Sequence, residues 1–333
     1  MSNKSISNIA NQFGIHVIGQ KQIRKGIFRV TNSEGQAYSL KRMPKPLARL
    51  RWIDRMLLSV RNKGLRLAWR SPQTPIGSKL YATSPEGELY VLTPWIAGRM
   101  PSPRSLKDMR TCGIALGRLH TAGGEGIKGH FAYNQIGEWP QKLQTMQRKL
   151  QKRIVKANGN GFGSMTINRF VQRHGPEILR YANEAKALLR SSGYFSYRKH
   201  PRSHGVLSHG DGGPSNFIMN AKGTYLLDFE TLHVDLRAYD LYRVIYNSCK
   251  DHQWNFKIAE AILNGYRQVA KLSKTDYKLI RIWLRFPIST YLVFSPSERF
   301  PLTEKWLKWA LSSERRIGPF LQKLDSYSAS HSS

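Results

Sequence analysis

Along the opening hundred residues apolar and polar side chains alternate in three short runs, Ile15 to Ile18, Gly26 to Thr31 and Ala37 to Arg42, and this two-residue period predicts strands. Asn-Ser-Glu-Gly at 32–35 supplies a hairpin turn between the last two, which makes the opening antiparallel. The period then changes. Leu50, Ile53, Met56, Leu57 and Val60 recur at three and four, predicting a helix from about Leu47 to Val60. Two further strands are predicted around Lys79 to Ala82 and Glu88 to Thr93. The second runs into Thr-Pro-Trp-Ile-Ala-Gly-Arg, whose proline and glycine mark a domain junction.

From Ser105 onward helical spacing dominates, through Leu106, Met109, Cys112, Leu116 and Leu119, then Trp139 to Lys156 and Pro176 to Leu189. Gly205 to Asp228 interrupts it with strand-like pieces, Val206-Leu207, Phe217-Ile218-Met219 and Tyr225-Leu226-Leu227, separated by loops. Helices resume at about Leu236 and reach Leu324, before a small polar end, SYSASHSS, that reads as disordered. The expected architecture is α+β: residues 1 to about 94 form a strand-rich lobe with one helix, 95 to 326 a larger, mainly helical lobe, and 327–333 a tail.

A chain of 333 residues with 40% hydrophobic content can bury one large or two medium cores, which excludes disorder as the main state. Charge changes the picture more. Lysine and arginine number 53 against 21 acids, a net +32, so anionic partners or surroundings are expected. RWIDR, RNKGLRLAWR and QRKLQKRIVK gather cations without any helix-turn-helix, zinc or RNA-binding signature. The expected attraction to polyanions is therefore nonspecific and salt-sensitive, and its bland alternative is a set of solvated helix faces. Cys112 and Cys249 alone cannot build a disulfide framework or a thiolate metal cluster. MSNKSISNIANQFG lacks a signal-peptide core and no 18 uncharged apolar residues run together, so cytoplasmic synthesis without a membrane span is expected.

Against this basic background, Asp211, Asp228, Glu230, Asp235 and Asp240 crowd into residues 211–240 among glycines and short apolar runs. Asp211 and Asn216 stand five apart across a Gly-Gly-Pro loop, and Asp228 follows twelve residues later. If the intervening strands pair as a hairpin, two carboxylates and an amide converge. Such oxygen ligands suit magnesium, which keeps waters and substrate phosphates in its other positions. An ordinary turn would explain Asp211 and Asn216 but not Asp228 and the later Asp-x-Arg-x-x-Asp.

His-Gly-Asp-x-x-x-x-Asn at His209, Gly210, Asp211 and Asn216, followed by Asp-Phe-Glu at 228–230 and by Asp235, Arg237, Asp240 and Leu241, resembles the aminoglycoside phosphotransferase and choline kinase-like enzymes. These share the two-lobed protein-kinase-like fold. Ala-Leu-Gly-Arg-Leu-His at 115–120, Ile-Gly-Glu-Trp-Pro at 136–140 and Tyr-Val-Leu-Thr-Pro-Trp-Ile-Ala-Gly-Arg at 90–99 are similar to one branch, the CotS family of bacterial spore coat proteins. The resemblance covers about residues 10 to 325.

What the resemblance implies is ATP-dependent phosphoryl transfer to a hydroxyl of an unknown small molecule or coat component, with location in the spore coat of an endospore-forming bacterium and acidic coat proteins as partners. Asp211 would be the base, Asn216 and Asp228 would hold Mg2+ on the ATP phosphates, and His209 and Asp240 would support the catalytic loop. Lys41, in the alternating Tyr-Ser-Leu-Lys, would meet the α- and β-phosphates, with Asp54 on the next helix to orient it. Gly26 is the single glycine of the expected phosphate-covering segment, and Trp95 and Ile96 lie at the expected adenine hinge beside Pro94, which has no N–H to give. A competing reading keeps the fold and drops catalysis, leaving a scaffold that binds acidic partners through its basic surface; the missing glycines and the absence of any glutamate between Lys41 and Glu86 support it.

Other motifs have plainer readings. His120 closes a helix and reads as structural, and Pro201 between His200 and His204 argues against a helical metal pair. Asn-Gly-Asn-Gly-Phe-Gly at 158–163 follows a basic helix instead of a strand, so it reads as a connection and not a dinucleotide fingerprint. Both cysteines read as reduced and inert, and Trp306, Leu307, Trp309 and Leu311 as core or lobe cover.

Overall fold

The computed structural model describes residues 3–43, 46–74, 76–297 and 300–331. The chain runs α1 (Asn3–Asn11), β1 (Val17–Arg24), β2 (Ile27–Asn32), β3 (Ala37–Met43), α2 (Leu47–Asn62), β4 (Ala82–Thr83), β5 (Leu89–Pro94) and α3 (Leu106–Gly129). It continues through α4 (Trp139–Asn158), α5 (Met165–Ser191), α6 (Tyr194–Lys199), α7 (Pro201–His204), β6 (Gly205–Ser208), β7 (Phe217–Asn220), β8 (Gly223–Leu226) and β9 (His233–Leu236). Five helices end it: α8 (Arg237–Cys249), α9 (Phe256–Arg267), α10 (Lys274–Arg285), α11 (Ile288–Val293) and α12 (Glu304–His331). The architecture is α+β, with a small antiparallel sheet early in the chain and a mostly helical remainder. No helix of the described residues is long and apolar enough to cross a membrane.

Two compact units divide the chain. The first takes the residues up to Pro101, Ala122–His130 and Ser215–Leu232; the second takes Ser102–Thr121, Phe131–Pro214 and the residues from His233 on. In the first unit the sheet has the order β1-β2-β3-β5-β4, with Leu40 opposite Leu92 and Lys41 opposite Val91. Asn32 shapes the turn before β3 by accepting at Oδ1 from the amides of Glu34 (3.2 Å) and Gln36 (2.8 Å). One face of the sheet is closed by α1, whose Ile6, Ile9 and Ala10, with Phe13 beyond, pack on Val30, Leu40 and Leu92. That spacing is helical, but α1 was not among the expected elements, because polar Asn and Ser residues fill the positions between its few apolar ones. The first unit therefore has more than one helix. The expected strand at 79–82 shrinks to Ala82–Thr83.

The first unit also departs from a boundary at residue 94. β7 and β8 form a hairpin, Phe217 opposite Leu226, and backbone bonds tie it to earlier segments. Met219 and Arg99 exchange amide bonds of 2.8 and 3.0 Å, and Ala68 N–H donates to Leu226 O at 2.9 Å. Gly98 makes this approach feasible, since a Cβ there would lie 2.5 Å from the Met219 carbonyl oxygen.

In the second unit α4 and α5 form an antiparallel pair, and Trp139 anchors it without exposure. Its ring stacks on Tyr194 (5.4 Å) and meets Trp283 edge-on (5.2 Å), while its indole N–H donates to Asp235 at 2.9 Å. β6 pairs with β9, a strand the alternation could not show because all four of its residues are buried. Asn-Gly-Asn-Gly-Phe-Gly is indeed a connection, joining α4 to α5. The expected tail is instead helical to His331. Tyr327 extends the apolar stripe of Phe320 and Leu324, packs on Phe256 and Tyr277, and donates to Asn264 at 2.6 Å. Both cysteines are free and buried, and burial pushes both thiols up, away from the reactive thiolate.

Candidate functional site

Strand alternation sets Lys41. Leu40 enters the core of the first unit, so its neighbour Lys41 turns to the opposite face of β3, where it is half enclosed among polar groups. Its ammonium contacts the Asp228 carboxylate and lies 2.5 Å from Glu230 Oε1. Arg24, from the end of β1, reaches the same Asp228 carboxylate at 2.9 Å. Burial pushes the Lys41 ammonium below its ordinary range; Glu230 opposes this by charge and hydrogen bond, and Arg24 adds to it. Asp228 itself stands in the left-handed region at φ +70°, two residues after β8, an uncommon conformation for a residue with a Cβ. Phe229, buried and edge-on to Trp69 at 6.2 Å, braces the turn that holds it there.

Lys41, Arg24, Asp228 and Phe229 line a cavity of about 410 Å³ within the first unit, together with Asn216, Trp95 and Ile96. The β7–β8 hairpin brings Asn216 and Asp228 to its two ends, closed by a 3.0 Å bond from Leu227 N–H to Asn216 O. Asn216 is buried. Gly26 occupies the β1–β2 turn at φ +77°, between the cavity-lining Ile23, Arg24 and Ile27, and is not itself a lining residue. Trp95 offers the cavity its side chain but not its amide, which donates to Ala37 O at 3.1 Å to extend the sheet. Of the neighbours that could donate at the hinge in place of Pro94, Trp95 has its amide committed to the sheet.

Asp54 also departs from expectation. Its carboxylate accepts from Trp69 Nε1 (2.9 Å) and from Arg70 Nε (2.7 Å), so it pins the segment after α2 instead of orienting Lys41. Being one methylene shorter than glutamate, it is matched to those near neighbours. Lys41 takes its carboxylates from the Asp-Phe-Glu string instead.

Asp211 belongs to the second unit. Its carboxylate is about half exposed and is held by Arg243 from α8. Burial alone would lower the Arg243 guanidinium; Tyr242, Tyr239 and Asp211 hold it above its ordinary range. Beneath the loop, fully buried Asp240 accepts from the amides of His209 (2.7 Å) and Gly210 (2.8 Å) and from His120 Nε2 (3.0 Å). Burial raises the Asp240 carboxyl, but the His120 bond, the neighbouring imidazoles and the Gly210 amide outweigh it and hold the group below the usual carboxylate range. His120 donates to a carboxylate that can only accept, and its Nδ1 faces the Tyr266 hydroxyl at 2.9 Å, which completes a satisfied buried chain. His209 is fully buried and contributes its backbone to this scaffold.

Three site groups were not assigned from sequence: Glu230 and Arg24 on the Lys41 cluster, and Arg243 on Asp211. Glu230 had a visible signal, two residues after Asp228. Arg243 had none, because its role depends on α8 passing under the loop. A larger hollow of about 690 Å³ between α5, α10 and α12 contains none of the predicted residues. Its arginines already meet carboxylates, Arg180 and Arg285 at Glu184, Arg281 at Asp325 and Arg315 at Glu177. No cluster of three or more His, Cys, Asp or Glu could hold a metal by itself among the described residues.

The profile of a phosphotransferase enzyme family matches residues 18–277. Among solved structures, the chain is similar to an aminoglycoside phosphotransferase from Alicyclobacillus acidocaldarius, at 18% identity and TM-score 0.77, covering 97% of this chain and 96% of that one. It is similar to a spectinomycin phosphotransferase solved with ADP and spectinomycin, at 13% identity and TM-score 0.63 over 97% and 99% of the two chains. It is also similar to a microcompartment-associated aminopropanol kinase, at 12% identity and TM-score 0.61 over 92% and 93%. These likenesses show a shared kinase-like fold. No curated protein matches the chain in sequence.

Proposed function

The chain belongs to the phosphotransferase enzyme family, and on that premise we propose that it transfers the γ-phosphoryl group of ATP to a hydroxyl acceptor. The observation that carries the reading is the Lys41 ammonium between Asp228 and Glu230 on the wall of the 410 Å³ cavity. In this reading Lys41 and Arg24 bind the phosphates, while Ile96 and Trp95 line the nucleotide's base end. Asp228 and Asn216 present one carboxylate and one amide to the same cavity. That donor set fits magnesium, a hard cation that takes few protein oxygens and completes its shell with phosphates and water. When bound, the ion offsets phosphate charge.

Asp211 carries the base role by its place in the His-Gly-Asp-x-x-x-x-Asn motif. Its carboxylate takes the acceptor's hydroxyl proton as that oxygen bonds to phosphorus, and the bond from the γ-phosphorus to the β–γ bridging oxygen breaks to leave ADP. Arg243 beside Asp211, and the scarcity of acids in the helical segments, argue against a polycationic drug as acceptor and for a neutral or anionic hydroxyl compound or a coat component.

A second reading retains the fold as a noncatalytic scaffold. Its support is the β1–β2 turn with Gly26 as its one glycine and the commitment of Asp54 to Arg70, so that no α2 carboxylate orients Lys41. The strings at 90–99 and 136–140 further motivate a place in the spore coat within the CotS branch, with acidic coat proteins as partners. Asp211→Ala separates the two readings: it abolishes transfer if chemistry is the function and leaves coat incorporation unchanged if adhesion is.

The primary test is thermal stability with Mg-ATP, with inorganic triphosphate as charge control and Asp228→Asn as site control. A ligand selective for the folded state adds about 2.7 kcal/mol at a hundredfold excess over its dissociation constant. A shift specific to Mg-ATP and lost in Asp228→Asn supports a nucleotide site. An equal shift with triphosphate that survives the substitution overturns it.

A further inference from the structure

Helix α4 has a face that the reaction does not use. Trp139, Leu143, Leu150, Ile154 and Ala157 are its buried side, and Arg148, Lys152 and Lys156, spaced by four, stand exposed on the opposite side. The 20-residue helix contains no acid, and among the described residues none of the three cations joins a salt bridge, whereas Lys149 and Arg153 lie against the rings of Tyr291 (5.8 Å) and Phe162 (5.4 Å). Like charges four apart work against a helix, so this stripe is not explained by the stability of α4 itself. An ordinary solvated face would intersperse acids; here the other exposed positions nearby, Thr145, Lys149, Gln151 and Val155, include none.

The stripe is also held rigid at its far end. Asn168 accepts from the amides of Phe162 and Gly163 (both 3.2 Å) and donates to the carbonyls of Asn160 and Gly163, while Gln172 donates to Ala157 O at 2.8 Å. Exposed Arg169 follows this loop on α5 and adds a further cation. Arg148 to Lys156 spans about 12 Å of helix axis. Cations so spread cannot converge on one phosphate, but they can follow a line of phosphates.

We propose that the outer face of α4 binds the phosphate backbone of duplex nucleic acid, without reading its sequence. A duplex carries one charge per about 1.7 Å of axis, a density that engages every cation of the stripe. The alternatives fit less well. The apolar side of α4 is buried in the second unit and so cannot enter a lipid surface. Val155 is the only large apolar side chain that α4 exposes, so the aromatic and aliphatic anchors of a protein interface are missing. The proposal is independent of the phosphotransfer reading.

The test is anisotropy of a labelled mixed-sequence duplex titrated with the full chain across a salt series. Arg148→Gln/Lys152→Gln/Lys156→Gln is compared with Lys271→Gln/Lys274→Gln/Lys278→Gln, which removes equal charge from exposed lysines elsewhere. At about 0.9 per phosphate contact, the α4 triple should lower the slope of log affinity against log salt by about 2 to 3 and weaken binding at least about tenfold, with the control triple close to wild type. Equal losses in both triples would overturn the proposal, leaving only the overall charge. Absent duplex binding, or tighter binding to anionic-lipid vesicles than to duplex, would overturn it as well. An unchanged melting temperature of each triple confirms that binding and not folding was altered.

Discussion

Asp228 in the first unit follows strand β8, and Asp240 in the second lies in the first turn of α8 after β9; their surroundings are opposite. Asp228 keeps 19% of its side chain open, sits in a left-handed backbone conformation, meets both Lys41 and Arg24, and shares Lys41 with Glu230; Asp228, Lys41 and Arg24 all line a cavity. Asp240 has no exposure and is met by two amides and an imidazole that donate from fixed positions. The first arrangement can exchange one partner for another when an anion or cation arrives, because each member is charged and reachable. The second cannot exchange without opening the fold. The difference separates a candidate ligand site from the scaffold that shapes a loop.

The strongest way to break this distinction is Asp240→Ala. It leaves the His209 and Gly210 amides and His120 Nε2 without their acceptor in a dry interior. Buried donors left unpaired cost about 1–3 kcal/mol each, and removing one partner of a buried ionic group about 3–5 kcal/mol, so a loss of about 4 kcal/mol is expected in urea unfolding. Asp240→Asn, which keeps one acceptor oxygen, should lose less. A loss under about 1 kcal/mol for the alanine variant would mean that the loop does not depend on this anchor.

Glu314 sharpens the same point from within the second unit. It too is buried and accepts from Thr290, at N–H (2.7 Å) and Oγ1 (2.8 Å), but no cation bonds to it among the described residues. Burial pushes its carboxyl up to about 7, against the Thr290 bonds and the more distant Arg285. A carboxyl raised above its unfolded value near 4.5 holds more protons in the folded state, so its contribution is complete below pH 4.5 and is lost as pH rises through about 7. The shift corresponds to about 3 kcal/mol. Glu314→Gln should therefore gain on wild type by about that amount between pH 4.5 and pH 8, measured by urea unfolding at both. Parallel stability curves for the two proteins would show that Glu314 does not titrate across this range.

How much of this was visible in the sequence follows from how local each feature is. The sheet, α2 and the β7–β8 hairpin were legible because side-chain periods and turn residues are local signals. The two short apolar runs between Asn216 and Asp228, read as a hairpin, bring those two residues near each other. Partner choice was not legible. Asp54 went to Trp69 and Arg70 because the segment after α2 folds back on it, and Arg243 met Asp211 across 32 residues. α1 and the end of α12 were missed for another reason. Their apolar positions are few among Asn and Ser, and they become helical by packing on a surface made elsewhere in the chain.

The smallest expected effect on stability tests the first unit directly. Arg24 is 65% exposed, and its 2.9 Å contact with Asp228 lies at the cavity rim. Exposed pairs contribute about 0–1 kcal/mol, since solvent screens the attraction and the long side chain loses freedom in forming it. Arg24→Gln should therefore change unfolding stability by less than about 0.5 kcal/mol. The same substitution removes one of two cations that face the proposed phosphates, so the Mg-ATP dissociation constant should rise several-fold by calorimetry, most visibly at low salt. If instead stability falls by more than about 1.5 kcal/mol while nucleotide binding is untouched, Arg24 and Asp228 form scaffold like Asp240, and the contrast between the two units fails at the residue where it is easiest to see.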